Sequence, residues 1–202
     1  MFVFVSGAAR SGKSAWAEEY VLSKAFADAC VPDARAPLVY LATARVCDQE
    51  MEKRVLHHQR ARKNKGFETL ERDVDISGII PRLAPASTIL LECLGTLLAN
   101  EMFGRRENKS PTHSKLVGAK IYEELMLLRA KAENLVIVSN DIFSDGMVYD
   151  GETERYRRTL GALHVSLAGQ ADLAVECICG MAVQTYSSGA NDPTEGRLKN
   201  KI

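Results

Sequence analysis

An excess of charge of either sign is absent from this 202-residue chain: Lys and Arg number 26, Asp and Glu also 26. A balanced surface offers no net field to a polyanion, so neither nucleic acid nor an anionic membrane is an expected partner. No basic tract stands out, and no apolar run approaches the roughly 20 residues a spanning helix needs, which argues against membrane insertion. The cysteines (Cys30, Cys47, Cys93, Cys177 and Cys179) are odd in number and contain no C-x-x-C pair. They read as a reduced, intracellular complement rather than a disulfide framework. Cys177 and Cys179 are two apart, a spacing that on a strand points both side chains to the same face and suits small buried residues better than a zinc site, although Cys179-Gly180 also reads as the turn between the last two strands. The N-terminus reads as a strand and a loop, not as a signal peptide. With the reduced cysteines this gives a cytoplasmic expectation. No internal repeat is visible.

What is present begins at once. The apolar run Phe2-Val3-Phe4-Val5 is followed by Gly7-Ala8-Ala9-Arg10-Ser11-Gly12-Lys13-Ser14 and then by a helical pattern. This is G-x-x-x-x-G-K-[ST] in the strand–loop–helix context that the motif requires. Gly7 and Gly12 let the backbone curl so that successive N–H groups face phosphate oxygens. Lys13 supplies a point charge for the β- and γ-phosphates, and the Ser14 hydroxyl is a ligand for Mg²⁺. The helix that follows turns its positive end toward the same anion. The expected ligand is a nucleoside triphosphate.

Apolar runs alternate with helical patterns along the rest of the chain. That predicts an α/β protein with a mostly parallel sheet of about seven strands flanked by helices. The expected strands are 2–5, 38–42, 67–70, 88–91, 135–138, 173–177 and 181–185, the last two forming a hairpin. The expected helices are 13–27, 48–62, 76–83, 94–103, 114–132 and 152–169. Segments 30–37 and 104–113 read as loops. Residues 1–186 read as one domain and 187–202 as a flexible tail.

An acid at the end of a buried strand should complete the phosphate site. Glu92, after Thr88–Leu91, is the first candidate and Asp141, after the run ending Ser139-Asn140, the second. On the expected helix 48–62, spacing of about 100° per residue gathers Cys47, Met51, Arg54, Val55, His58 and Arg62 on one broad face. Arg54 and Arg62 bracket His58. Two guanidiniums there would keep the imidazole neutral and nucleophilic and could clamp a triphosphate. A histidine on a half-buried helix beside a solvated arginine face fits the same spacing. His113 and His164 read as structural or surface groups, Trp16 as packing, and Arg155-Tyr156-Arg157-Arg158 as a solvated face or a phosphate or subunit contact.

With these blocks in hand, the chain resembles the bifunctional adenosylcobinamide kinase/adenosylcobinamide-phosphate guanylyltransferase family of cobalamin biosynthesis. The carrying segments are Gly7–Ser14, Y-L-A-T-A at Tyr40–Ala44, D-Q-E-M-E-K-R-V-L-H-H at Asp48–His58, and L-L-E-C-L at Leu90–Leu94 with Asn100 beyond it. V-I-V-S-N-D at Val136–Asp141 and the stretch Arg155–Asp172 complete them. The resemblance implies a P-loop, RecA-like fold and two reactions. A nucleoside triphosphate, ATP or GTP, first phosphorylates adenosylcobinamide. GTP then guanylylates a histidine, matching His58, and GMP passes on to give adenosylcobinamide-GDP. It implies nucleotide contacts at Gly7, Ala8, Ala9, Arg10, Ser11, Gly12, Lys13 and Ser14, at Ala42, Thr43 and Ala44, at Gln59, Arg60, Ala61 and Arg62, and at Glu71 and Glu92. Mg²⁺ would sit on Ser14 and Glu92, and trimers or hexamers are implied.

Several positions depart from the family pattern. Its N-E-V-G is here Asn140-Asp141-Ile142-Phe143, its L-N-Q is Leu163-His164-Val165, and Gly95 stands where threonine is common. A phosphotransferase or nucleotidyltransferase of the same fold on another substrate, or a non-catalytic nucleotide-binding relative, are the alternatives these departures leave.

Overall fold

Continuous apolar runs, rather than alternating ones, mark strands covered on both faces. Phe2-Val3-Phe4-Val5 is such a run and forms the middle of the molecule. The computed structural model describes residues 1–27, 37–45, 65–104, 111–144 and 146–187. Seven strands make one sheet: β1 (Phe2–Gly7), β2 (Leu38–Ala42), β3 (Phe67–Glu71), β4 (Thr88–Glu92), β5 (Asn134–Asn140), β6 (Leu173–Ile178) and β7 (Met181–Ser187). Their order is β3-β2-β4-β5-β1-β6-β7. All neighbours pair in parallel except β6 and β7, which form the expected antiparallel hairpin.

Side chains alternate across this sheet into two apolar layers. Phe2, Phe4, Leu41, Ile89, Leu91, Leu135 and Ile137 pack on one side. They meet the helices α2 (Leu94–Phe103), α3 (Pro111–Lys131) and α4 (Gly151–Ala168). Val3, Val5, Tyr40, Leu90, Val136 and Val138 face the other way, toward Ala17 and Val21 of α1 (Lys13–Ala27). Ala17 and Val21 are four apart and so share one helix face. Trp16 is half-buried and stacks on Tyr20, with ring centroids 5.1 Å apart, as packing predicts. Burial, and then the nearby Asp172 carboxylate, raise the Tyr20 hydroxyl to about 12.

Several expectations need correction. Residues 76–82 form a 3-10 helix (Ile76–Arg82), not an α-helix: Pro81 lies inside it, and in an α-helix its ring would clash with the carbonyl four residues back. α3 begins at Pro111, three residues before the expected start, since a proline is suited to a first helical turn. Cys177 and Cys179 do not share a face. β6 ends at Ile178, and Cys179 is exposed in the turn at φ 51°, while Cys177 is buried. The run Arg155–Arg158 is not uniformly solvated. Arg158 is, but the Tyr156 hydroxyl donates to Gly95 O at 3.0 Å and Arg157 donates to Phe143 O at 3.2 Å. The expected helix 48–62, most of the loops at 30–37 and 104–113, and all but the first residue of the tail lie outside the described residues. Among the described residues no helix is long and apolar enough to cross a membrane.

Candidate nucleotide site

The loop after β1 emerges at the C-terminal edge of a central strand, and its two glycines are needed there for space and for shape. A Cβ on Gly7 would lie 2.5 Å from Ser11 Oγ and 2.6 Å from Cys177 O. Gly12 has φ +90°, which disfavours any L side chain. It also sits against Gly180 of the β6–β7 turn, whose N–H donates to Ser11 O at 2.9 Å. The hairpin turn thus braces the loop from outside. Arg10 adopts a left-handed φ of 59° that helps fold the loop back on itself. From the other side Asp141 N donates to Gly7 O at 2.8 Å.

Lys13 opens α1 and is only 8 % exposed. Its ammonium donates to the Ala8 carbonyl at 3.2 Å, so the charge lies folded over the loop's own backbone. One residue on, Ser14 Oγ donates to Glu92 Oε1. Of the two acids considered for this place, the structure therefore sets Glu92 against the loop serine. Asp141 instead turns its Oδ1 onto Phe143 N at 2.9 Å and shapes the next loop. A hydroxyl and a carboxylate side by side are hard oxygen donors of the kind Mg²⁺ accepts, with phosphate and water supplying the rest. Among the described residues no group of three or more His, Cys, Asp and Glu is placed to hold a metal. A cation here would therefore depend on the phosphates for much of its coordination.

Glu92 lies in a row that crosses three strands: Ala42 pairs with Glu92 on one side and with Glu71 on the other. Glu71 is exposed at the sheet edge, while Thr43 is wholly buried. The Thr43 hydroxyl donates to Cys93 O at 2.8 Å and accepts from Cys93 N at 2.7 Å, and Thr43 N donates to Glu92 O at 3.0 Å. Asn100 Nδ2 then reaches Thr43 O at 2.9 Å and Asp73 O at 3.1 Å. Ala42–Ala44 is thereby tied to the ends of β3 and β4. Sequence spacing offered no sign of this staple, because it depends on β2 lying beside β4. Gln59, Arg60, Ala61, Arg62 and His58 lie outside the described residues. The chain leaves the described part at Arg45, just beyond Thr43, and returns at Lys65, whose ammonium pairs with Glu18 of α1 at 2.5 Å.

The departures at Phe143, His164 and Gly95 have packing explanations. His164 stands between the rings of Phe4 and Phe143, with centroids 5.0 and 5.2 Å away, and its Nε2 shares a hydrogen bond of 2.7 Å with Ser139 Oγ. Phe143 and His164 are therefore partners in one cluster. At Gly95 an added Cβ would come within 3.0 Å of the Tyr156 hydroxyl, so this chain has filled with tyrosine the space a larger residue would need. Val165 is exposed on α4.

Burial lowers the His164 imidazole to about 4, against a smaller raising effect of Asp141. The folded protein thus binds fewer protons than the unfolded chain between about pH 4 and 6.5. Stability from this group is complete above about 6.5 and falls, by up to about 1.4 kcal/mol per pH unit, as pH drops toward 4. Urea unfolding at stepped pH should show that loss, and His164→Gln should flatten it.

A phosphate cradle of this form, at the C-terminal edge of a mostly parallel sheet, makes the molecule a P-loop nucleotide-binding α/β protein. Within that class the chain belongs to the cobinamide kinase / cobinamide phosphate guanyltransferase family, whose model matches residues 3–185. It is 31% identical over 193 residues to the bifunctional adenosylcobalamin biosynthesis protein CobU of Salmonella typhimurium, covering 91% of this chain and 99% of that one. Against CobU of Escherichia coli the identity is 27% over 192 residues, with the same coverage. The bifunctional protein CobP of Pseudomonas aeruginosa is 29% identical over 182 residues, covering 88% of this chain and 92% of its own.

Proposed function

We propose that this chain carries out two transfers in sequence on a cobinamide. The first moves a phosphoryl group from ATP or GTP to the aminopropanol hydroxyl of adenosylcobinamide. In the second, a neutral His58 nitrogen attacks the α-phosphorus of GTP, the bond to pyrophosphate breaks, and a phosphoramidate forms. An oxygen of the substrate phosphate then attacks that phosphorus, releasing His58 and giving adenosylcobinamide-GDP. Dividing one displacement into two through a good leaving group is the advantage of the covalent step. The observation that carries this reading is the family match along almost the whole chain, coupled to a phosphate loop with Glu92 set against Ser14.

Phosphoryl chemistry needs little beyond positioning and charge neutralisation. Lys13 swings from its carbonyl to the β- and γ-phosphates, the loop N–H groups and the N-terminus of α1 hold the remaining oxygens, and Arg54 and Arg62 flank His58. Mg²⁺, held by Ser14 and Glu92, would offset charge on the phosphates. Ala42, Thr43, Ala44 and Glu71 shape the nucleotide's edge, and Gln59, Arg60, Ala61 and Arg62 add contacts to it. Residues 1–186 act as one catalytic unit, assembled as a homo-oligomer, trimeric or hexameric, in the cytoplasm.

Incubation with Mg²⁺ and GTP labelled at the α-phosphate, then denaturation and intact mass, tests the reading. One GMP per chain, acid-labile and stable to alkali, is the expected result. Triphosphate binding without any adduct would remove the guanylyltransferase half.

A further inference from the structure

Glu92 is held from two directions. Above it, toward α1, is Ser14; below it, on the same face of the sheet, is Tyr40, whose hydroxyl donates to Glu92 Oε2 at 2.8 Å. The geometry follows from register. Tyr40 pairs with Leu90 and Ala42 with Glu92, so Tyr40 and Glu92 are diagonal neighbours across β2 and β4. A tyrosine is long enough to span that diagonal. Its ring is itself fixed: Tyr40 is 4 % exposed and meets the edge of Phe67 on β3, with centroids 6.2 Å apart at 83°.

We infer that Tyr40 is a positioning residue that orients the Glu92 carboxylate so that its other oxygen stays with Ser14 at the mouth of the phosphate loop. A carboxylate at a strand end rotates freely unless something holds it. A donor on Oε2 removes that freedom and leaves Oε1 as the oxygen available to a divalent cation. Partners that orient a metal ligand in this way typically matter about 10- to 100-fold in metal affinity when lost. The inference rests on the proposed reading of Ser14 and Glu92 as a cation site, and it adds a residue outside the phosphate loop to the determinants of that site.

Tyr40→Phe keeps the ring and removes only the hydroxyl. GTP binding measured by calorimetry across a Mg²⁺ series, and again in EDTA, reads the effect. The half-saturating Mg²⁺ concentration should rise about tenfold or more, while GTP affinity in EDTA stays at the wild-type value. Glu92→Gln should raise the Mg²⁺ requirement too, and adding Tyr40→Phe to it should change nothing further. Phe67→Leu keeps the hydroxyl but loosens the ring, and should shift the Mg²⁺ requirement by about threefold in the same direction; it carries the test if Tyr40→Phe folds poorly. A Mg²⁺ requirement unchanged in Tyr40→Phe, equal losses with and without Mg²⁺, or independent effects in the double variant would each overturn the inference alone. A wild type whose GTP binding ignores Mg²⁺ would overturn the cation site and this inference with it.

Discussion

Lys13→Ala is expected to lower both phosphoryl and guanylyl transfer by about 10³-fold, the scale of losing a charged clamp on a transferring phosphate. The expectation comes from how the ammonium is kept. It is 8 % exposed, it rests on the Ala8 carbonyl at 3.2 Å, and among the described residues it forms no ion pair. A nearly buried cation whose acceptor among the described residues is a neutral carbonyl is under-compensated, and in the proposed reading a triphosphate would complete it. Two further results should accompany the loss of rate. The nucleotide-free variant should be at least as stable as wild type, because removing an under-paired charge removes a desolvation penalty. The rise in thermal midpoint on adding GTP should shrink with the affinity. Steady-state rates and thermal unfolding with and without GTP check all three. Retention of more than a tenth of the rate would mean that the phosphates lie elsewhere.

The sheet was readable because most of its strands are runs of apolar residues too short for a helix and bounded by polar or glycine-rich turns, with the edge strands β3 (FETLE) and β7 (MAVQTYS) more polar. The strands observed agree with those expected to within a residue or two at each end. Strand order was not readable. Nothing in the succession of runs says that β2 lies between β3 and β4, or that β1 lies between β5 and β6. The errors are local and each has a named residue behind it: Pro81 converts an expected α-helix into a 3-10 turn, Pro111 starts α3 early, and Cys179 falls in the turn one residue past the end of β6.

The phosphate loop was legible because its chemistry is contiguous: eight adjacent residues make the cradle. The rest of the site comes together only through the sheet. Glu92 ends one buried strand and Asp141 follows another, and spacing could rank them but not settle the choice. The choice depends on which strand end faces the first turn of α1, and that is a matter of tertiary structure. Tyr40 and Asn100 belonged to matching segments, yet their work was invisible. Tyr40 acts across a diagonal between non-consecutive strands, and Asn100 bridges two carbonyls 57 and 27 residues away. The departures from the family pattern also change meaning in three dimensions. Phe143 and His164 are separate departures in the sequence and one aromatic cluster in the structure, with Phe4 on the far side of the imidazole.

His58→Asn is expected to divide the two activities. Asparagine keeps a polar side chain of similar reach but has no nucleophilic ring nitrogen. Formation of the GMP adduct should therefore disappear and GMP transfer should fall at least about 10⁴-fold, the scale of losing a covalent nucleophile. In the proposed reading phosphorylation of adenosylcobinamide rests on the loop, Lys13 and the Ser14–Glu92 pair, so it should proceed and the phosphorylated intermediate should accumulate. GTP binding should stay within a few-fold of wild type, since the phosphate cradle is untouched. The neighbour supplies the control: His57 projects about 100° away on the expected helix, and His57→Asn should retain the adduct. The segment carrying both begins beyond Thr43, which is stapled to Cys93 beside Glu92, and ends at Lys65, paired with Glu18 on the phosphate helix. An adduct that survives in His58→Asn and disappears in His57→Asn would exchange the two roles. One that survives in both would move the nucleophile off this segment and leave Arg54 and Arg62 without the partner proposed for them.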